Sequence, residues 1–232
     1  MIGCKLKLKI SIVDCMKIIE LFSGSGTLSK EFEKAGHEVF SIDIRKRKEV
    51  CEPSLRKDIL QVSIRDIPFN EVDVIWASPP CDVFSKASGD FHWTKDNQPK
   101  TKKCHDHLQI LKKCLALIEK LKPKIFFIEN PDGKMKFQRE ITSFLVRNEG
   151  MIKKINYSAY GFQLPKPTNL FTNALDFKPK IIPDTFNKDR GTFQKNNQLI
   201  FDNMTKCQRQ KIPQPLARHI LEYCTKKIEI SD

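Results

Sequence analysis

The sequence predicts an α/β fold, a mostly parallel sheet with helices on both of its faces. Three observations carry that prediction. Short apolar, β-branched runs alternate with longer segments of helical period, the first run ends in a glycine turn directly before a helix, and 232 residues suit one such domain.

The elements follow in order. "KIIELFS" (17–23) reads as the first strand, and a helix is expected over 27–35. "EVFSIDI" (38–44), "VDVIWAS" (72–78) and "KIFFIEN" (124–130) read as further strands. A helix over 105–120 carries Leu108, Leu111, Leu115 and Ile118 on one face, a core stripe. A helix over 137–147 leads to "KKINYSAYG" (153–161) and "LFTNAL" (170–175), both expected as strands that finish the sheet. Residues 178–206 are rich in Lys, Asn, Asp and Pro with little period, and read as a surface insert with weak structure of its own. A closing helix is expected over 213–227, its basic end complementing the dipole. No internal repeat is present.

The formal charge of +13 favours a polyanionic partner, nucleic acid first, against the plainer reading of a solvated lysine-rich surface. The eight cysteines are scattered and never form a CxxC pair, so neither a zinc knuckle nor a disulfide framework is signalled. "CHDH" (104–107) lacks a second ligand pair, and no metal site is expected. A reducing, intracellular setting follows, cytoplasm or nucleus. The start of the chain has no continuous apolar core or cleavage site, and no run approaches the roughly 20 apolar residues of a membrane span. A soluble protein with no membrane partner is expected.

"ELFSGSGTLSKEF" puts Gly24 and Gly26 between strand and helix, where bare backbone can approach a ligand and helix amides favour polar groups. Asp43 ends the next strand, at the distance of a ribose-binding carboxylate, and Asp58 follows in "RKDIL" as a candidate for an adenine amino group. A nicotinamide dinucleotide and S-adenosylmethionine both fit. Ser29 stands where the third glycine of the dinucleotide fingerprint belongs, which tilts the choice to S-adenosylmethionine.

"DVIWASPPCDVFS" raises a second question. A cysteine after a strand is more often a small buried hydrophobe than a catalyst. Pro79 and Pro80 stop this strand, however, and leave Cys81 at the carboxyl edge of the sheet, where α/β ligand sites form. The following strand ends in "FFIENP", bringing Glu129 and Asn130 to that edge. A carboxylate there is otherwise a helix cap or a surface charge.

"LFSGSG", "SPPC", "ENP" and "YGF...KPT", closed by "IPQPLARHI", resemble the cytosine-5 DNA methyltransferase family, most closely its short viral and phage-like members. The resemblance spans about 17–223. It implies a Rossmann-like, seven-stranded S-adenosylmethionine-dependent methyltransferase fold, and a monomer acting on duplex DNA. Residues 1–177 and 207–232 would form the catalytic domain, and 178–206 a reduced target-recognition insert. Cofactor contacts would run through Phe22, Ser23, Gly24, Ser25, Gly26, Thr27, Asp43, Ile44, Asp58, Ile59 and Pro79.

In the implied mechanism the Cys81 thiolate adds to carbon 6 of cytosine and makes carbon 5 nucleophilic. Glu129 serves nitrogen 3, protonated in its apolar setting, and the chain's positive field is expected to favour the thiolate. The base must be flipped out of the duplex. Residues 85–103 have the composition of a mobile loop, from which Ser85, Lys86, Lys95, Lys100, Lys102 and Lys103 would meet phosphates while Phe91 or Trp93 fills the gap. Lys188, Arg190 and Gln194 of the insert are candidates for groove contacts.

The chain also departs from the family. Asp82 stands for the usual glutamine after the cysteine, and Pro131 for valine. "YGFQLPKPTN" puts Lys166 on the first of two usual arginines and Thr168 on the second. Lys166 is accordingly expected to act with Cys81 and Glu129. An RNA methyltransferase acting on tRNA, a weakly catalytic DNA-binding paralogue and a nicotinamide-dependent oxidoreductase are the competing functions; the last leaves "PPC" and "ENP" unexplained.

Overall fold

The computed structural model describes residues 15–45, 51–88, 90–181, 200 and 203–229. Strands β1 (Lys17–Leu21), β2 (Glu38–Asp43), β3 (Leu55–Arg56), β4 (Val74–Ala77), β5 (Ile125–Pro131), β6 (Met151–Asn156) and β7 (Pro167–Thr172) form one seven-stranded sheet in the order β3-β2-β1-β4-β5-β7-β6. β1 to β5 run parallel, and β7 lies antiparallel between β5 and β6.

The central strands are mostly apolar because the sheet is covered twice. Ile19, Leu21, Ile75, Ala77, Phe126 and Ile128 face one core, shared with α2 (Lys102–Leu121) and α3 (Arg139–Arg147). Their neighbours Ile18, Val74, Trp76, Ile125 and Phe127 face a second core, under α1 (Thr27–Lys34) and α5 (Gln214–Glu229). Alternation along each strand thus feeds two cores at once. Glu31 of α1 fastens the second layer, accepting from Gln214 Nε2 at 2.7 Å and Arg218 Nε at 2.8 Å, which holds its carboxyl down to about 2.

The expected boundaries shift for local reasons. β1 stops at Leu21 because Phe22 turns to φ 61°. α2 starts earlier than expected, at a cap in which the Thr101 side chain accepts from the Cys104 amide. Lys122, left-handed at φ 47°, ends it before Pro123. "KKINYSAYG" is not one strand: β6 ends at Asn156, whose side chain accepts from the Ser158 amide and starts a 3₁₀ turn, Tyr157–Tyr160. β7 begins at Pro167, a strand's first position, where a missing amide donor is tolerated. The two-residue β3 was not expected. Of the insert, 182–199 and 201–202 lie outside the described residues. It is followed by a short helix α4 (Lys206–Gln210), closed by a capping box between Thr205 and Gln208. Among the described residues no helix is long and apolar enough to cross a membrane.

Candidate active site

Two parallel strands, β1 and β4, stop together, and the pairing of β4 with a third, β5, ends at the same level. Leu21 pairs with Ala77, and Ala77 with Ile128, so whatever follows each leaves the sheet at one carboxyl edge. The glycine turn follows β1, and Ser78-Pro79-Pro80-Cys81 follows β4. β5 runs on past its partner, pairing only with β7, and carries Glu129 there. A cleft of about 380 Å³ opens over this edge, where ligand sites of open α/β sheets form.

The turn after β1 closes one end of the cleft. Gly24 (φ 53°) donates its amide to Asp43 Oδ2 at 2.8 Å, tying the turn to β2. Asp43 Oδ1 accepts from the Arg45 amide at 2.8 Å and Nε at 3.3 Å, so both oxygens already have protein partners. Arg45 Nη1 reaches on to Gln210 Oε1 of α4 at 3.1 Å. Ser23 Oγ is buried without a hydrogen-bond partner among the described residues, although Ser23 lines the cleft. Phe22, Ser25, Ile59 and Pro79 line it too, and Ile44 stands at its wall 60% exposed. Asp58 lines it while accepting the Leu60 amide at 3.0 Å as the cap of a 3₁₀ turn.

Gly26 and Thr27 fall outside the cleft lining, contrary to expectation. Gly26 (φ 61°) turns its open face to Cys51: a Cβ there would stand 2.7 Å from Cys51 Cβ. Thr27 opens α1, buried, with its hydroxyl 2.8 Å from that of Ser25.

Cys81, Glu129 and Lys166 do meet in the cleft. Glu129 is buried, accepts the Tyr157 hydroxyl on Oε1 at 2.9 Å, and has Lys166 Nζ 4.0 Å from the same oxygen. Asn130 Nδ2 donates to the Pro79 carbonyl at 3.0 Å, which fastens the cysteine turn to β5. The expected positive field does not win at the thiol. Burial pushes Cys81 above the ordinary cysteine range, the Glu129 charge adds to that, and Lys166 only partly offsets it.

The segment after Cys81, read as a mobile loop, is fastened to the turn after β5. Ser85 bridges to Gly133, the Lys134 amide donates to Phe84 O at 2.6 Å, and Lys86 Nζ sits 2.6 Å from Asp132. Trp93 is not available to DNA in this arrangement. It is 2% exposed, stacks on Phe84 at 5.7 Å and donates its indole N–H to Val83 O at 2.6 Å. Phe91, 70% exposed and edge-on to His92 at 5.0 Å, is the aromatic of the pair that faces solvent. Lys95, Lys100 and Lys102 are exposed, as is Lys103, whose ammonium lies 3.5 Å from Asp82. Ser85 is half-buried. Lys188, Arg190 and Gln194 lie outside the described residues.

A model of the C-5 cytosine-specific DNA methylase family matches residues 16–164. A probable DNA (cytosine-5)-methyltransferase of Frog virus 3 is 31% identical over 172 residues, 71% of this chain and 74% of the viral protein. The chain belongs to the C-5 cytosine-specific DNA methylase family. The type II methyltransferase M.FnuDI of Fusobacterium nucleatum is 31% identical over 123 residues, but the match spans only 33% of that longer protein. A solved putative DNA modification methyltransferase from an E. coli prophage overlaps with a TM-score of 0.49 at 21% identity, over 72% of this chain and 52% of that one.

In this C-5 cytosine methylase, several lining residues escaped sequence reasoning. His107 and Ile110 come from α2, and Cys207, Gln210, Lys211 and Ile212 from α4 and its exit. Neither "CHDH" nor "IPQPLARHI" marks His107 or Ile212 as a cleft residue, the other four stand in no quoted motif, and only the packing of distant segments brings all six there. Tyr157 was read as part of a strand; the asparagine before it, a turn former, was the signal available.

Proposed function

We propose that this methylase transfers a methyl group from S-adenosylmethionine to carbon 5 of a cytosine flipped out of duplex DNA, with Cys81 as the nucleophile. One observation carries the reading. A thiol, a buried carboxyl and a lysine share a single cleft with a glycine turn at the sheet's carboxyl edge.

The residues present fit the cofactor. The unpartnered Ser23 hydroxyl offers a polar contact in an otherwise satisfied turn, and the exposed Ile44 offers an apolar face to a flat ring. Phe22, Ser23, Gly24, Ser25, Asp43, Ile44, Asp58, Ile59 and Pro79 would hold it. Bound there, it supplies an electrophilic sulfonium methyl. Asp43 can take ribose hydroxyls once the Arg45 side chain turns aside, because Gly24 and the Arg45 amide still hold the carboxylate.

Carbon 5 of cytosine is a poor nucleophile until carbon 6 is attacked. Cys81 gives its proton to solvent and attacks as the thiolate, forming a carbon–sulfur bond while Glu129 delivers a proton to nitrogen 3. The Glu129 charge is among the influences that keep the thiol protonated. A protonated Glu129 no longer opposes the thiolate, and Lys166 then favours it. After methylation, solvent water takes the carbon 5 proton, the carbon–sulfur bond breaks to release the Cys81 thiolate, and nitrogen 3 returns its proton to Glu129. Exposed Lys95, Lys100 and Lys102 meet backbone phosphates, and 178–206 is a short recognition insert.

The decisive experiment incubates the protein with S-adenosylmethionine and duplex DNA carrying 5-fluorocytosine, whose fluorine blocks the final elimination. Mass spectrometry should find a protein–DNA adduct at Cys81. No adduct despite bound labelled cofactor sinks the reading, and an adduct that survives Cys81→Ala sinks the choice of nucleophile. The same assay with tRNA identifies the preferred polymer.

A further inference from the structure

Tyr157 opens the turn between β6 and β7 and is fully buried. Its hydroxyl donates to Glu129 Oε1 at 2.9 Å. Lys166 approaches that same oxygen at 4.0 Å while its ammonium lies 4.3 Å from the centre of the Tyr157 ring. Phe162 packs edge-on against the Tyr157 ring, at 5.9 Å. Among the described residues no hydrogen bond reaches Oε2, and Glu129 lines the cleft.

A phenol has one proton to give. Burial, and then the neighbouring Glu129 charge, keep the Tyr157 hydroxyl protonated well beyond the ordinary tyrosine range, so it stays a donor at every working pH. Thr168, near the start of β7, spends its hydroxyl on the Lys166 carbonyl at 3.1 Å. One hydrogen-bond donor and one ammonium at ion-pair distance therefore crowd a single carboxyl oxygen and leave the second open.

We infer that Tyr157 is a positioning residue of the reaction: by holding Oε1 it turns Glu129 so that Oε2 presents to nitrogen 3 of the flipped base. This rests on the functional reading above. Tyr157 need not touch the substrate, and its effect belongs to the rate at which the bound complex reacts.

The test is single-turnover adduct formation on 5-fluorocytosine duplex. Tyr157→Phe keeps the ring and removes only the hydroxyl. It should slow adduct formation about tenfold, with KM for DNA and for cofactor unchanged. Lys166→Met should slow it too, and the double variant should lose more than the product of the single losses, because the hydroxyl through its hydrogen bond and the ammonium through its charge each still draw Oε1 when the other is gone. Incorporating 3-fluorotyrosine at 157, which keeps shape and donor, should retain the wild-type rate even if the phenylalanine variant folds poorly. A wild-type protein that forms no adduct overturns the functional reading and this inference with it. A wild-type adduct that Tyr157→Phe forms equally fast, or losses that simply multiply, overturns the inference alone.

Discussion

Asn130 donates its side-chain amide to the carbonyl of Pro79 at 3.0 Å, joining the turn that presents Cys81 to the strand that presents Glu129. The bond is buried, so nothing from solvent replaces it. Asn130→Ala leaves the Pro79 carbonyl unpaired and frees the two reacting groups from each other. Stability should fall by about 1–3 kcal/mol in urea titrations, and adduct formation about tenfold or more. Equal rates at full occupancy of both substrates would show that the prolines alone hold the turn.

Gly133 sits where the loop after Cys81 docks. A Cβ there would lie 2.0 Å from Phe84 O and 3.2 Å from Lys86 N, both backbone atoms that cannot step aside singly. Gly133→Ala must push the loop off the turn after β5. We expect a loss of about 2 kcal/mol, as for overpacking, together with slower adduct formation. Thermal melts and the adduct assay read the two effects separately.

The thiol gives a prediction with a definite sign. Burial and then Glu129 raise the pKa of Cys81, and Lys166 lowers it. Glu129→Gln removes one raising influence, so Cys81 should be alkylated by iodoacetamide faster than wild type near pH 8. Lys166→Met removes the lowering influence and should slow it. Peptide mapping after timed alkylation distinguishes Cys81 from Cys51 and Cys207, which are also partly accessible.

Trp93 and Lys102 should separate stability from DNA contact. Trp93 is core, so Trp93→Ala should cost about 3 kcal/mol or more. Lys102 is exposed on the first turn of α2, and Lys102→Ala should leave the melting temperature unchanged. Its signature is instead a salt dependence of DNA binding shallower by about one unit of slope. A Trp93→Ala protein that melts normally but binds DNA poorly would restore the tryptophan to the interface.

Glu20 makes stability depend on pH near neutrality. It is buried on β1, accepts the Ser29 amide at 3.0 Å, and burial pushes its carboxyl up to about 7 despite that bond. A folded-state pKa above the unfolded value adds stability that is full below about 4.5 and lost as pH climbs through 7. Glu31, held down to about 2, contributes in the opposite sense and only at acid pH, so it does not mask the effect. Glu20→Gln should therefore gain on wild type between pH 5 and pH 8, by up to about 3 kcal/mol. Parallel denaturation curves at the two pH values would disprove it.

Local pattern by itself determined the strands that make the centre of this protein and the motifs at their ends. Apolar runs as long as "KIFFI" commit to strands covered on both sides, and glycines or prolines directly after them end the strand wherever it packs. That is why Gly24, Cys81 and Glu129 could be assigned to one edge from sequence alone. Tertiary structure decided what stands beside them. The direction of Gly26 depends on Cys51, the burial of Trp93 on Phe84 and Val83, and the orientation of Glu129 on Tyr157 and Lys166. The balance of charge at Cys81 was equally out of reach. Net charge acts over the whole surface, whereas a half-buried thiol responds to its own desolvation and to the nearest carboxylate, and those neighbours exist only once the chain has folded.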